Sequence, residues 1–403
     1  MTTTERYHAL DAVRGYALLA GIVLHATMSF FLAIPIADHS PSSALKVTFF
    51  VIHTFRMTLF FVIAGFFARL LLQRRGVTGF IRHRSARILA PLLVAWAVLT
   101  PVTLRILAWA DPASAHGWRP VPLMHLWFLY YLCLFYVAAL ALRWITAQRS
   151  DGGESLAELG DGAVRRLLDS PLAPWVLALP LFAVLGFDDR ILWGLGIPTP
   201  DRGLTPKPPV LVAFGTAFAL GWFVHRQPAQ LQKWRARWRE HLAAGMTLTG
   251  LCLTVLHVEQ GATDGWLFHS AAGSRAVYVA CYLASIWYWT FGVTGAALRY
   301  CADESPVRRY LADSSYWLYL VHLPLVFFLQ VAFAPLAWPW AIKFSLIMVI
   351  ALTLLFLSYH YFVRSTWIGE VLNGARYPRR ALFPSRQSRP TAPSPLQPTR
   401  HPG

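Results

Sequence analysis

Apolar runs of about twenty residues recur along this chain, and they restrict its fold more than any other feature. The first, Leu10–Phe31, reads LDAVRGYALLAGIVLHATMSFF. At about 1.5 Å per residue, a helix of that length crosses the ~30 Å of hydrocarbon in a bilayer. In hydrocarbon each backbone N–H and C=O needs a partner within the structure, and a helix supplies those partners locally. The chain is 56% hydrophobic and only 14% charged over its 403 residues. The predicted fold class is therefore an all-α polytopic membrane helical bundle. Ten helices are expected, over 13–33, 47–68, 88–109, 124–145, 172–187, 209–225, 242–258, 275–298, 311–333 and 337–362. The connection over 187–209 is rich in Pro and Gly and reads as a loop.

Basic residues give the expected orientation, because lysine and arginine collect on the cytoplasmic side. With both termini cytoplasmic, 26 of the 36 fall on inner segments and 7 on outer segments or outer helix ends. Arg14, Arg56 and Lys343 lie within spans. The net charge of +17 then reflects topology and attraction to anionic membrane lipid, rather than nucleic-acid binding. The first apolar run is too long for the core of a cleavable signal and is expected to stay as a helix. The four cysteines, Cys133, Cys252, Cys281 and Cys301, form no CxxC pair, so neither a metal site nor a disulfide framework is expected. Residues 371–403 carry Pro, Ser and Arg without an acid after Glu370, a composition that predicts a disordered basic cytoplasmic tail.

The chemistry resides in the polar groups inside the spans. Arg14 and His25 are eleven residues apart, almost three full turns, so they share a face about 16 Å apart. Asp11 precedes Arg14 by three residues, where it can cap the helix or pair with the guanidinium. The second span contains VIHTFRMTLFFVIAGFF, which sets Arg56 near the depth of His25 with His53 one turn away. A mid-membrane arginine costs at least ~2.5–3.5 kcal/mol on insertion scales, so it needs a partner or a wet cavity. The ninth contains DSSYWLYLVHLPLVFFLQ, with His322 near mid-membrane, Tyr319 one turn below it and Ser315 two turns below. The fourth opens with HLWFLYYL, placing His125 and Trp127 at the outer mouth. A membrane histidine often only bonds a neighbouring helix, and Trp127 also fits an interfacial belt. Together, however, these groups describe a polar cavity open towards both surfaces. Arginine at one lip suits a phosphate, and histidine at the centre suits proton transfer.

These blocks carry a resemblance. LDAVRGYALLAGIVLH looks like the opening of the acyltransferase 3 family of integral-membrane O-acyltransferases, with an arginine, ten residues, then a histidine. IHTFRMTLFFVIAGFF, HLWFLYYL and SSYWLYLVHLPL resemble further blocks of that family in the same order, over residues 6 to about 365. Within it the likeness is greatest to members that succinylate osmoregulated periplasmic glucans. The resemblance implies a transmembrane acyltransferase domain over 1–370 in the bacterial inner membrane. It implies an acyl-CoA donor, succinyl-CoA or acetyl-CoA, as co-substrate, a carbohydrate acceptor such as a glucan, and no metal. It assigns His25 as general base and Arg14, beside Asp11, to the donor phosphates or to orienting the histidine through a partner. Arg56 becomes an oxyanion or carboxylate partner, and His322 a further polar wall or relay. Trp127, His125, His53, Tyr319 and Ser315 fall to the substrate. Another acceptor within the same family remains open: exopolysaccharide, lipopolysaccharide or a small molecule. A secondary transporter is the competing class; the lack of an inverted repeat and of a mid-span acid argues against it.

Overall fold

The computed structural model describes residues 7–32, 36–112, 122–148, 153–185, 195–261, 271–374 and 376–377. The described residues are helical throughout, with short connections. The helices are α1 His8–Thr27, α2 Ser43–Arg84, α3 Ala90–Ala110, α4 Trp127–Ala147, α5 Gly153–Asp169, α6 Ala173–Leu185, α7 Pro208–Arg226, α8 Ala229–Ala236, α9 Trp238–Gly261, α10 Ala271–Tyr300, α11 Pro306–Phe333, α12 Trp340–Ser358 and α13 Trp367–Asn373. Each of the ten expected ranges overlaps one of them, and residues 33, 186 and 187 lie outside the described residues. The amphipathic α5 and the short α8 and α13 had no apolar run to announce them. The tail beyond 377 lies outside the described residues.

Among the described residues, seven helical stretches are long and apolar enough to cross a membrane, or eight if the bent pair 158–169 and 173–185 forms one span. Two features of the helices lower the count from ten. Ser43–Ala110 is one run of 68 residues, about 100 Å at 1.5 Å per residue, against ~30 Å of hydrocarbon. It takes in two expected spans, and Gly76, at φ 63° and ψ −174°, breaks the helical backbone between them. A π-turn, Ser85–Leu89, then leads into α3. The span expected over 172–187 is α6, whose 13 residues reach only about 20 Å. The one expected over 242–258 lies on α9.

Local sequence sets the helix starts. The Ser42 hydroxyl accepts from Leu45 N at 3.3 Å, and the Ser305 hydroxyl from Arg308 N at 3.4 Å. Pro306 and Pro208 occupy first-turn positions, where a missing N–H costs nothing. The bundle brings α1 against α11 and α2, α2 against α7, and α9 along α10. Arg14 reaches Ala312 and Gln330 reaches His25, so α1 and α11 run parallel, side by side. The loop before α2 is tied to the start of α12. Lys343 and Asp38 pair at 2.5 Å with side chains 0% and 2% exposed, and the Ser40 hydroxyl accepts from Trp340 N at 2.8 Å.

Candidate active site

A cavity of about 570 Å³ runs between α1, α2, α4 and α11, and among its lining residues are Arg14, His25, His53, Arg56, His125, Trp127, Ser315, Tyr319 and His322. Nine of the ten residues singled out from the sequence thus share one wall-to-wall space. Asp11 is the exception. It stands 3.5 Å from the Arg14 guanidinium, outside the lining, and no side chain caps α1.

The centre holds three imidazoles in a row. The ring centroids of His25 and His322 are 5.1 Å apart, and those of His322 and His125 are 5.2 Å apart. Backbone carbonyls fix two of them. His322 Nδ1 donates to Tyr319 O at 2.8 Å, and His125 Nε2 to Leu320 O at 3.0 Å. A carbonyl only accepts, so the bonded nitrogen carries the proton and the opposite nitrogen presents its lone pair. Those opposite atoms, His322 Nε2 and His125 Nδ1, are buried without a hydrogen-bond partner. The local sequence explains the His125 bond. Pro324 sits inside α11 and has no N–H for the carbonyl four residues before it, which is Leu320. The proline frees an acceptor in the wall, and the histidine takes it. Tyr319 closes the group by donating its hydroxyl to His125 O at 2.7 Å.

His25 lies in the last turn of α1, where carbonyls lose their intrahelical partners. The Met28 N–H still reaches His25 O, and Gln330 adds donors from across the bundle, to His25 O at 2.9 Å and Ala26 O at 3.0 Å. The His25 Nδ1 stands 3.4 Å from the Met28 sulfur. Arg56 reaches across from α2 and lies directly on Gly21, one turn before His25. A Cβ there would overlap Nη1 and come within 3.3 Å of Cζ. The Arg56 Nε is buried and unpaired, as is His53 Nδ1. His53 stacks on Phe49 with centroids 5.2 Å apart.

One end of the cavity is basic. Arg14 donates to Ala312 O at 3.0 Å, a carbonyl that also takes the Ser315 hydroxyl at 2.7 Å. Arg84 lies over the Tyr136 ring at 4.9 Å, and Tyr316 donates its hydroxyl to Arg87 O at 2.6 Å. His83, Arg84 and Arg87 line the cavity beside Arg14 and flank or occupy the π-turn. Trp127, expected at the outer mouth, lines the cavity. It is 6% exposed, and Phe214 stacks on it with centroids 5.6 Å apart, so aromatic neighbours hold the indole as a wall. His125 is likewise buried, 8% exposed. At this end of α4 the chain 195–202 passes over the cavity, and Leu195, Ile197, Thr199, Asp201 and Arg202 join its lining.

Sequence reasoning missed Gly21, Gln330, Pro324 and this strap. Gln330 and Gly21 were visible in principle, as an amide in an apolar span and a glycine one turn from a histidine. Nothing local marked the strap. Among the described residues no group of three or more His, Cys, Asp or Glu is placed to hold a metal ion.

Comparison with known proteins gives a consistent picture. The acyltransferase domain family, acyltransferase 3, matches residues 7–360. Glucans biosynthesis protein C of Escherichia coli strain K12 is 24% identical over 354 residues, covering 82% of this chain and 85% of that protein. The same protein from the O139:H28 strain E24377A and the O9:H4 strain HS matches at the same identity and coverage. No solved structure matches.

Proposed function

Because this chain belongs to the acyltransferase 3 family, and so is a multi-pass membrane acyltransferase, we propose that it moves an acyl group, succinyl in the first instance, from cytoplasmic acyl-CoA to hydroxyls of a periplasmic glucan. Both termini lie in the cytoplasm of a bacterial cell, and the protein sits in the inner membrane. The observation that carries this reading is the cavity itself, which joins a cluster of arginines to a row of histidines along the bundle. A phosphorylated carrier docks at the arginine end, where planar guanidinium forks suit phosphate oxygens. Arg14, Arg84 and Arg87 provide that lip, and the arm of the carrier brings its thioester to the centre.

His25 is the general base. A thioether sulfur only accepts, so Nδ1–H points at Met28 and Nε2 is the basic nitrogen. Nε2 takes the proton of the sugar hydroxyl while its oxygen attacks the thioester carbonyl. The C–O bond forms, the C–S bond breaks, and the proton passes to the departing thiolate. Arg56, one turn away over Gly21, faces the oxyanion or the distal carboxylate of a succinyl group. His322 and His125 offer lone pairs beside His25 and hold the acceptor hydroxyl or relay its proton.

Transfer of labelled succinyl from succinyl-CoA to neutral gluco-oligosaccharides in proteoliposomes tests the reading. The His25→Ala variant should insert and fold normally, yet lose transfer by at least about a hundredfold, the usual share of a general base. Normal transfer by that variant would remove His25 from the reaction. Mass spectrometry of periplasmic glucan from a deletion strain should show loss of the acyl substituent; an unchanged glucan would point to another acceptor.

A further inference from the structure

Among the described residues, Asp201 is the one acidic residue lining the cavity, together with the arginines Arg14, Arg56, Arg84, Arg87 and Arg202. It lies at the opposite end from most of them. Helix α4 starts at the strap and reaches Tyr136, under Arg84, about 14 Å further along its axis. Its position is closely held. The Asp201 carbonyl accepts from Leu123 N at 2.9 Å and Met124 N at 3.2 Å, immediately before His125. Met124 has φ 50°, a left-handed conformation that costs a side-chain-bearing residue of order 1–3 kcal/mol and persists only where its surroundings impose it.

The strap is anchored on both sides of Asp201. Gly196, at φ 71°, lets the chain pass so close to Tyr282 that a Cβ would strike its ring and hydroxyl. That hydroxyl accepts from Ile197 N at 3.2 Å. Beyond Asp201, Tyr130 donates its hydroxyl to Leu204 O at 2.6 Å, and Lys207 N donates to the Tyr131 hydroxyl at 2.9 Å. The Asp201 carboxylate takes its own backbone N–H and that of Arg202. Burial nevertheless raises its pKa above the usual carboxylate value. Arg202 and Lys207 lie near enough to favour its charged form, and a carboxylate in a cavity wall can accept further hydrogen bonds from a ligand.

We propose that Asp201 is an acceptor-binding residue: its carboxylate receives sugar hydroxyls beside His125 and selects neutral over anionic sugars. The assignment rests on the acyl-transfer reading above and adds to it the chemistry of the acceptor subsite. Neighbouring hydroxyls on a sugar ring both donate, which matches a carboxylate's two oxygens. A uronate in the same place would set like charges together.

The test is steady-state transfer by the full-length protein in proteoliposomes, with labelled succinyl-CoA as donor. The acceptors are a neutral gluco-oligosaccharide and a uronate-containing oligosaccharide of equal length. Asp201→Asn keeps the shape and removes the charge. It should raise the KM for the neutral sugar about tenfold or more, the scale of a lost charge-assisted hydrogen bond. The donor KM should stay the same, and the preference for neutral over anionic sugar should shrink. Asp201→Glu, which keeps the charge, should preserve that preference even if the Asn variant folds poorly. An acceptor KM within twofold of wild type, a rise in donor KM to match, or loss of the preference in Asp201→Glu overturns the assignment. Wild-type protein that acylates neither sugar overturns the carbohydrate reading itself, and this subsite with it.

Discussion

The Gly21→Ala substitution isolates the placement of Arg56 from everything else in the site. In an exposed or neutral helix position, alanine is favoured over glycine by about 0.8–1.0 kcal/mol. On that ground alone the variant should be more stable. In this protein the new methyl would overlap Nη1 of Arg56 and press on Cζ from 3.3 Å and Cδ from 3.5 Å. Those atoms belong to the far end of a flexible side chain, so the fold yields by moving the guanidinium. Restoring an ordinary van der Waals separation requires a displacement of about 1 Å. A misplacement of that size costs about a hundredfold in rate when the group must meet developing charge. The expected outcome is an unchanged or raised melting temperature in detergent, with kcat for acyl transfer down about a hundredfold. Single-turnover transfer with saturating succinyl-CoA separates this from weaker donor binding. Wild-type kcat in a well-folded Gly21→Ala protein would show that Arg56 does not need to lie on α1 and would remove it from the chemistry. A collapse in melting temperature would show that the side chain cannot give way, which would equally refute the reasoning.

Two further predictions concern stability. Lys343→Met should destabilise the bundle by about 3–5 kcal/mol, because it leaves the Asp38 carboxylate buried without its partner. The double variant Lys343→Met, Asp38→Leu should recover much of that loss in the same thermal scan; recovery of none would mean that the pair is not acting as a unit. The second is a pH effect at the corner between α5 and α6. Asp169 accepts from Lys233 and Gln230 on α8, chiefly Lys233, and these bonds hold its pKa below the ordinary 3.8. A depressed carboxyl stabilises the fold above its unfolded pKa, and that contribution is lost as pH falls through the folded value. The protection of α8 amides from hydrogen exchange, taken relative to the intrinsic rate at each pH, should therefore fall below about pH 4 in the wild type, with no such step in Asp169→Asn.

Much of the fold was legible because hydrocarbon leaves few options. A run of about twenty apolar residues has to be helical, and each of the ten expected ranges overlaps a helix. The elements that went unseen lack that signal. Helix α5 is amphipathic, and α8 and α13 have eight and seven residues. The site was legible to the extent that it consists of polar groups in apolar runs. Arg14, His25, Arg56 and His322 stood out because ionisable groups are expensive in a membrane. Their shared cavity follows from the pairing of α1 with α11 and α2.

Other features depend on contacts between residues far apart in the chain. Trp127 reads as an interfacial indole, yet Phe214 covers it. Pro324 lies inside an expected span without any mark of function, yet its consequence is an open carbonyl for His125 almost two hundred residues earlier. Asp201 sits in a Pro/Gly-rich connection that looks like any loop, and only the strap's bonds to Leu123, Met124 and Tyr282 bring it to the cavity. Periodicity and apolar length act within one helix, so the sequence by itself determined the class of fold, the spans and which polar groups stand inside them. Which of those groups meet, which nitrogen faces the cavity and what closes its far end were decided by packing between helices, because a side chain's partner across the bundle leaves no trace in its own neighbours along the chain.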